Sequence, residues 1–376
     1  MTIEPGVTFD QALRISMPNG WIIPAVPGTR FPTLGGASAC NVHGKNSYRC
    51  GNFGEAVKSF KLLMASGEIL HCSPSRNQEA YYASIGGMGL LGIFTEITLQ
   101  LIPIPSSWLD TRQIASTGID ELIENLFKLS QSHDYVVGRI DTSAPFRQLG
   151  RGILYAAIYS REPQKQRYRI TELNLMSRIL QEQSLLPLLR LGINEKTVQV
   201  ASNLKYRIDK VLAFWKQQQN FYDFNFLHDK VLFYDKAFKH GLIQFEPLIP
   251  REKAAAVFRQ MLMLSQDHSL LPHKATVRLH RKDAFWLSYS MSGVSLALDY
   301  ALSPENLPRL MELINKMTSI TLENSGILYL AKDATLSHGN FMKMYPAALK
   351  FLDLKRRLDP SELFQSDQYR RLFIGR

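Results

Sequence analysis

Three side chains of this 376-residue chain stand in settings that can give them chemistry. His43 lies in Asn41-Val42-His43-Gly44-Lys45-Asn46, a run of hydrogen-bonding side chains broken by a glycine. A lone histidine is more often a satisfied structural residue than a catalyst. Here Gly44 leaves room beside the imidazole for a planar ring system, which favours a ligand-facing role. Lys332 ends the apolar run 326–331. An ammonium at the end of such a strand is partly desolvated beside a ligand, and a fixed cation there stabilises developing negative charge. A Lys332-Asp333 surface turn is the competing reading. Lys45 stands where it would either meet a phosphate or remain solvated.

The element that must carry His43 and Lys45 is the stretch 26–54. It holds Gly28, Gly35, Gly36, Gly44, Gly51 and Gly54, interleaved with Thr29, Thr33, Ser38 and Asn46, and almost no acid. Such a loop either cradles a phosphate-bearing cofactor on its backbone amides or is a turn region between strands. A second glycine run at 86–92 contains GxGxxG at Gly87, Gly89 and Gly92. A dinucleotide fingerprint needs a strand before and a helix after. The order is reversed here, with a helix-like run at 77–84 before and alternating IFTEITLQL after, so that reading is rejected.

Around these loops the pattern predicts a helix from about Thr8, a strand over 21–26, and a hairpin of 56–64 with 69–72. Beyond Pro103 and Pro105, strands at 109–116, 134–141 and 152–160 with a helix at 118–132 imply a second α+β unit on an antiparallel sheet. Residues 165–217 read as helix-rich and basic, with LLPLLRLG at 185–192 either a packed insertion or a membrane-surface contact. Further strands are expected at 241–250, 274–280, 284–290, 294–301 and 326–331, with helices at 250–266 and 303–318.

Composition excludes several classes. Cys40, Cys50 and Cys72 form no CxxC pair and make a disulfide framework unnecessary. No HExxH, clustered Cys/His, GxSxG or Walker A pattern is present, so no metal site is expected. No apolar run reaches the ~20 residues of a membrane span, and the first residues lack a signal-peptide pattern, which predicts a cytoplasmic protein with at most peripheral membrane association. The net charge of +11 favours anionic partners. It lacks the aromatic spacing of a nucleic-acid reader, and no nucleic acid is expected.

The segments PGTR, TLGG, VHGKN and GNFG, followed by TEITLQLIP, GILYLAKD and RRLDPSELFQSDQYRRL, resemble FAD-linked oxidoreductases of the vanillyl-alcohol-oxidase (PCMH-type) superfamily. Within it the chain is most similar to the decaprenylphosphoryl-ribose 2′-epimerase oxidase and D-arabinono-1,4-lactone oxidase group. The resemblance implies an α+β chain with part of a PCMH-type FAD-binding domain in 1–105. An antiparallel-sheet substrate domain in 106–325 would follow, with a helical insertion at about 161–225, and 326–376 would return to the flavin. Non-covalent FAD would be lined by Gly28, Thr29, Thr33, Leu34, Gly35, Gly36, Cys40, Asn41, Val42, His43, Ile93 and Tyr329. Lys332 matches an essential lysine of an AKD motif, and Lys332 with His43 would serve catalysis. Lys45, Gln244, Glu246 and Arg278 would face substrate, Glu246 being a departure in charge from the family pattern and Arg278 needing a one-residue gap. Ala297 stands where the epimerase oxidase often has cysteine.

The implied reaction is hydride transfer from a secondary alcohol of a sugar or sugar-phosphate lipid to flavin, giving a ketone. A reductase partner would complete an epimerisation. An aldonolactone oxidase and a non-catalytic remnant that binds a partner or substrate are the alternatives. Residues 1–25 show no Gly-Arg-Ser-Tyr-Gly-type pyrophosphate loop. The corresponding expectation is weakened FAD retention unless a complementary chain supplies that half.

Overall fold

The computed structural model describes residues 1–162, 166–170, 217–227 and 238–375, with 203–204, 206–208, 210 and 229 between them. LLPLLRLG and most of the expected helical insertion lie outside the described residues; the described end of that insertion holds the strand Gln217–Asn220 and the short helix Phe221–Asn225.

Two antiparallel sheets organise the chain. The smaller has the order β1-β5-β3-β4, from β1 (Thr2–Ile3), β3 (Val57–Leu63), β4 (Ile69–Cys72) and β5 (Ile93–Leu99); a separate short ribbon pairs β2 (Trp21–Ile22) with β6 (Ile102–Pro103). The strand expected over 21–26 is thus only two residues long. Helix α1 (Phe9–Ser16) starts at Thr8, whose hydroxyl and the Gln11 side chain form a capping box. Helices α2 (Leu34–Ala39), α3 (Ser47–Cys50) and α4 (Gln78–Ser84) complete this part. The turn between α4 and β5 needs its glycines for two reasons. Gly86 and Gly89 have φ of +78° and +73°, while a Cβ on Gly87 would stand 2.3 Å from the Ala83 carbonyl oxygen.

The larger sheet, nine-stranded among the described residues, runs β10-β7-β9-β8-β13-β14-β12-β15, with β11 also paired to β14. Its strands are β7 (Trp108–Ser116), β8 (Tyr135–Ile140), β9 (Gly152–Tyr159), β10 (Gln217–Asn220), β11 (Leu242–Phe245), β12 (Pro247–Pro250), β13 (Lys274–His280), β14 (Gly293–Ala301) and β15 (Ile327–Leu328). Alternation sorts the two faces. Ala275, Val277, Leu279, Leu296 and Leu298 join one buried cluster with α5 (Ile119–Ser130) and two long helices, Ala254–Asp267 and Leu307–Glu323. Lys274, Thr276, Arg278 and His280 occupy the alternate positions of β13, on the opposite face.

Four expectations shift. Residues 284–290 form no strand, because Asp283 gathers the chain locally: it accepts from Ser288 Oγ (2.7 Å) and the Phe285 amide (3.1 Å). Such side-chain bonds compete with a ladder. The 241–250 strand is broken at Glu246 into β11 and β12. The helix expected at 303–318 begins at Leu307, since Ser303 and Asn306 bond each other in a turn first. The strand expected over 326–331 shortens to β15, followed by a tight turn over Leu330–Lys332.

The C-terminal segment is tied back by one buried cation. Lys355 donates to the Leu90 carbonyl (3.0 Å), Asp359 (2.7 Å) and the Phe364 carbonyl (2.8 Å), so the helix Ala348–Leu358 is pinned to the 86–92 turn.

Candidate active site

The loop after α2 carries His43 to the polar face of the larger sheet, and its neighbours hold it there. Asn41, with φ +40°, donates to Asp283 (3.0 Å) and Ser288 (2.7 Å) and accepts from the Gly54 amide (2.8 Å). A Cβ on Gly44 would stand 2.9 Å from the Val26 carbonyl oxygen, which accounts for glycine beside the histidine. Asn46 donates to the Pro24 carbonyl at 2.7 Å. Lys45 is buried, donates to the Phe224 carbonyl and lies 4.6 Å from that ring's centroid. Of the four residues His-Gly-Lys-Asn, the structure brings only His43 to the site; the other three anchor the loop.

His43 Nε2 lies 3.2 Å from Glu246 Oε1, and Arg278 Nη1 lies 3.4 Å from the same oxygen; the Glu246 side chain is 2% exposed. The break between β11 and β12 is what aims Glu246 here. Burial is the largest influence on this carboxyl and pushes it up, but the charges of His43, Arg278 and Lys332 outweigh it and hold it well below the usual range, at about 2. Burial foremost, helped by Arg278 and Lys332 and opposed by Glu246, lowers the His43 imidazole. A neutral His43 lends Glu246 no charge, so at neutral pH the carboxylate rests on Arg278 and accepts a neutral N–H from His43. A carboxylate can only accept, which puts the His43 proton on Nε2. Nδ1 is then a bare acceptor, buried and without a partner among the described residues.

Aromatic rings enclose it. His280, Tyr289 and Tyr329 have centroids 5.0, 5.7 and 5.1 Å from that of His43, and Tyr289 stacks on Tyr329 at 4.7 Å. Tyr329 donates to the Cys40 carbonyl (3.2 Å) and Tyr289 to the Glu246 carbonyl (3.1 Å). Burial raises both phenols well above their ordinary value and keeps them protonated donors. Burial likewise raises the Cys40 thiol, with nearby Lys332 opposing. Lys332 is exposed on its turn, within electrostatic reach of Cys40, His43 and Glu246.

The remaining expected residues fall in two places. Thr29, Gly28, Thr33, Gly36, Cys40 and Val42 form a half-buried to exposed strip leading to His43, while Leu34 is buried in the core. Gly36 meets only Thr33 Oγ1 (3.3 Å) where a Cβ would be, and Gly89 across the neighbouring turn meets nothing within 4 Å. Gly35 is different: its Cβ would press Pro5 at 2.8 Å, so it serves packing. Ile93 is 54% exposed at the start of β5. Gln244 is engaged internally, donating to Asp299. His280, Tyr289, Lys274 and Asp299 were not singled out from the sequence; the polar residue at every second position of KATVRLH was the available signal for Lys274 and His280.

A flat cofactor fits these residues. The strip offers side-chain-free backbone at Gly36, the hydroxyl proton of Thr33, an unpartnered imidazole acceptor and a nearby cation, and two stacked tyrosines close its end, whereas the Thr29 hydroxyl is bonded to Asp229. These features and the two-sheet fold define a PCMH-type FAD-dependent oxidoreductase. An FAD binding domain family model matches residues 1–73, and a D-arabinono-1,4-lactone oxidase model matches residues 185–372. The decaprenylphosphoryl-beta-D-ribose oxidase of Mycolicibacterium smegmatis is 28% identical, over 98% of this chain and 80% of its own. The L-gulonolactone oxidase of Mus musculus is 24% identical, over 99% of this chain and 81% of its own. The chain belongs to the D-arabinono-1,4-lactone oxidase family, with FAD as its cofactor. Among the described residues no helix is long and apolar enough to cross a membrane, and no cluster of His, Cys, Asp and Glu could hold a metal ion.

Proposed function

We propose that the chain oxidises a secondary alcohol of a sugar, free or carried on a polyprenyl phosphate, to a ketone at the polar face of the larger sheet. The observation that carries this reading is the buried Glu246–His43 pair, which fixes the imidazole tautomer and leaves Nδ1 as an unpartnered acceptor. His43 takes the carbinol hydroxyl proton at Nδ1. Glu246 orients the ring and supports the positive charge that arrives with that proton. Arg278 holds Glu246 ionised and in place. When bound, FAD supplies the acceptor for the hydride that leaves the same carbon. Gly28, Thr29, Thr33, Gly36, Cys40 and Val42 would hold it, and Lys332, exposed on its turn, would add a nearby cation that favours electron gain beside it. A quinone or dioxygen would serve as the final acceptor of the two electrons.

On this reading residues 1–105 form the flavin part, 106–325 the substrate part, and 326–376 return Tyr329 and Lys332 to the flavin. The names of the two relatives supply the substrate classes to compare. Mixing the flavin-loaded protein anaerobically with a farnesylphosphoryl ribose and with an aldonolactone tests it. The reading expects bleaching near 450 nm and one ketone per flavin with the ribose lipid. Faster bleaching by the lactone would shift the substrate to aldonolactones, and bleaching by neither would leave a non-catalytic binding protein.

A further inference from the structure

The proposed oxidation uses His43 and Glu246 but leaves a second buried imidazole, His280, without a role. Its ring packs edge-to-face on that of His43, with centroids 5.0 Å apart, and the residue is 5% exposed. Register places it. Gly293 on β14 stands directly opposite, and the imidazole reaches diagonally to Ser295, Nε2 to Oγ at 2.9 Å. Ser295 also hydrogen-bonds the Tyr289 phenol, which donates to the Glu246 carbonyl at 3.1 Å. That carbonyl accepts from the Tyr329 amide as well, at 3.2 Å, where β11 breaks from β12. Ser295 and Tyr289 therefore connect His280 to the break that aims Glu246 at His43.

The far end fixes the direction of this chain. A carbonyl oxygen only accepts, so the single Tyr289 proton is committed to Glu246. The Tyr289 oxygen can then only accept from Ser295, which commits the Ser295 proton in turn. Ser295 has no proton left for His280 and accepts one, so the imidazole proton lies on Nε2 and Nδ1 is bare. Nδ1 is buried and without a partner among the described residues. The opposite order would set lone pairs against each other among side chains that are at most 5% exposed, where an unmade hydrogen bond is costly. Tyr329 sends its phenol proton to the Cys40 carbonyl. The protons of His280, Ser295, Tyr289 and Tyr329 are thus all committed elsewhere, and none occupies His43 Nδ1.

We propose that His280 is a positioning residue for the oxidation. As the donor at the head of a one-way chain, it orders the protons of Ser295 and Tyr289, holds the Glu246 backbone at the strand break and keeps the basic nitrogen of His43 open. The inference rests on the carbinol-oxidase reading for what His43 does, but the proton order can be measured without turnover.

Heteronuclear NMR of the flavin-loaded protein, with its histidine ring nitrogens labelled and the His280 signals assigned by their loss in His280→Gln, tests the order directly. At neutral pH His280 is expected as the neutral Nε2–H tautomer. Tyr289→Phe frees the Ser295 proton and is expected to shift part of the His280 population to Nδ1–H. A His280 found as the Nδ1–H tautomer or as an imidazolium, or one indifferent to Tyr289→Phe, would overturn the proposal. Anaerobic reduction of the flavin by sugar supplies the second readout. His280→Leu, which has no donor, is expected to slow reduction about tenfold, the loss of one hydrogen bond, with sugar affinity within about twofold of wild type. His280→Gln, whose amide N–H can stand where Nε2–H did, is expected to keep the rate within about threefold of wild type. A His280→Leu rate equal to wild type, equal losses in the two variants, or a loss of sugar affinity that matches the loss of rate would overturn it. Should the tautomer and its response hold while no sugar bleaches the flavin, the proton order stands and the oxidase reading fails; bleaching with His280 as Nδ1–H gives the converse.

Discussion

Glu246→Gln isolates the residue on which the proposed proton transfer turns. The amide keeps the shape and an acceptor oxygen but removes a charge from a side chain only 2% exposed, contacted by His43 at 3.2 Å and Arg278 at 3.4 Å. Arg278 then faces no charge on that group, and the imidazolium that forms when His43 takes a proton loses its counter-ion. A positioned general base contributes about 10²–10⁴-fold to a rate. Because the variant weakens the base without deleting it, we predict a fall of about 10²-fold in the flavin-reduction rate constant, or about 2.7 kcal/mol in barrier. Anaerobic stopped-flow absorbance at saturating sugar measures it. A second readout separates a charge effect from misfolding. Glu246 raises the His43 pKa against burial. Its neutralisation therefore lowers that pKa further, and the acid limb of the reduction profile moves to lower pH. A rate constant within about twofold of wild type, with flavin bound and the acid limb unmoved, would refute the role given to this pair.

Three other perturbations probe the frame. Lys355→Met leaves the Leu90 and Phe364 carbonyls and the Asp359 carboxylate without their shared donor; the loss of one partner from so buried a pair predicts about 3–5 kcal/mol of destabilisation in urea unfolding. Gly44→Ala would put a methyl 2.9 Å from the Val26 carbonyl and 2.8 Å from Asn46 Oδ1, predicting a loss of about 1–3 kcal/mol in the same assay. His43 and His280 have folded pKa values depressed by burial below the ordinary 6.5. Below about pH 6.5 the unfolded chain takes their protons first, so the stability they confer is present above that pH and lost as pH falls. Melting temperature should drop on acidification from pH 7 to 5, with a shallower slope in His280→Gln; an unchanged slope would contradict the assignment.

Local signals carried much of the fold. The helix start at about Thr8 was legible, and the alternation of 93–99 marked a strand whose glycine turn could not be a dinucleotide loop. What escaped depended on contacts distant in sequence. Residues 284–290 alternate like a strand, yet Asp283 captures Ser288 and the Phe285 amide and rolls the segment into a turn. Glu246 was expected to face substrate from inside one unbroken strand, and only the paired register of β11 and β12 with β14 shows the break there. His43 was legible from the hydrogen-bonding run that surrounds it, although Gly44, read as room for a planar ring, is kept by the close approach of the Val26 carbonyl. Lys45 was read toward a substrate phosphate, whereas a ring and carbonyl 179 positions away claim it.

The most direct measurement is the anaerobic reduction of the bound flavin by a farnesylphosphoryl ribose carrying deuterium at the carbinol carbon, in the wild type and in His43→Asn. The account predicts bleaching with a primary isotope effect, one equivalent of ketone per flavin, and a rate at least about 10²-fold lower in the variant. Flavin that stays oxidised with every sugar offered, or a variant that reduces it as fast as the wild type, would contradict it.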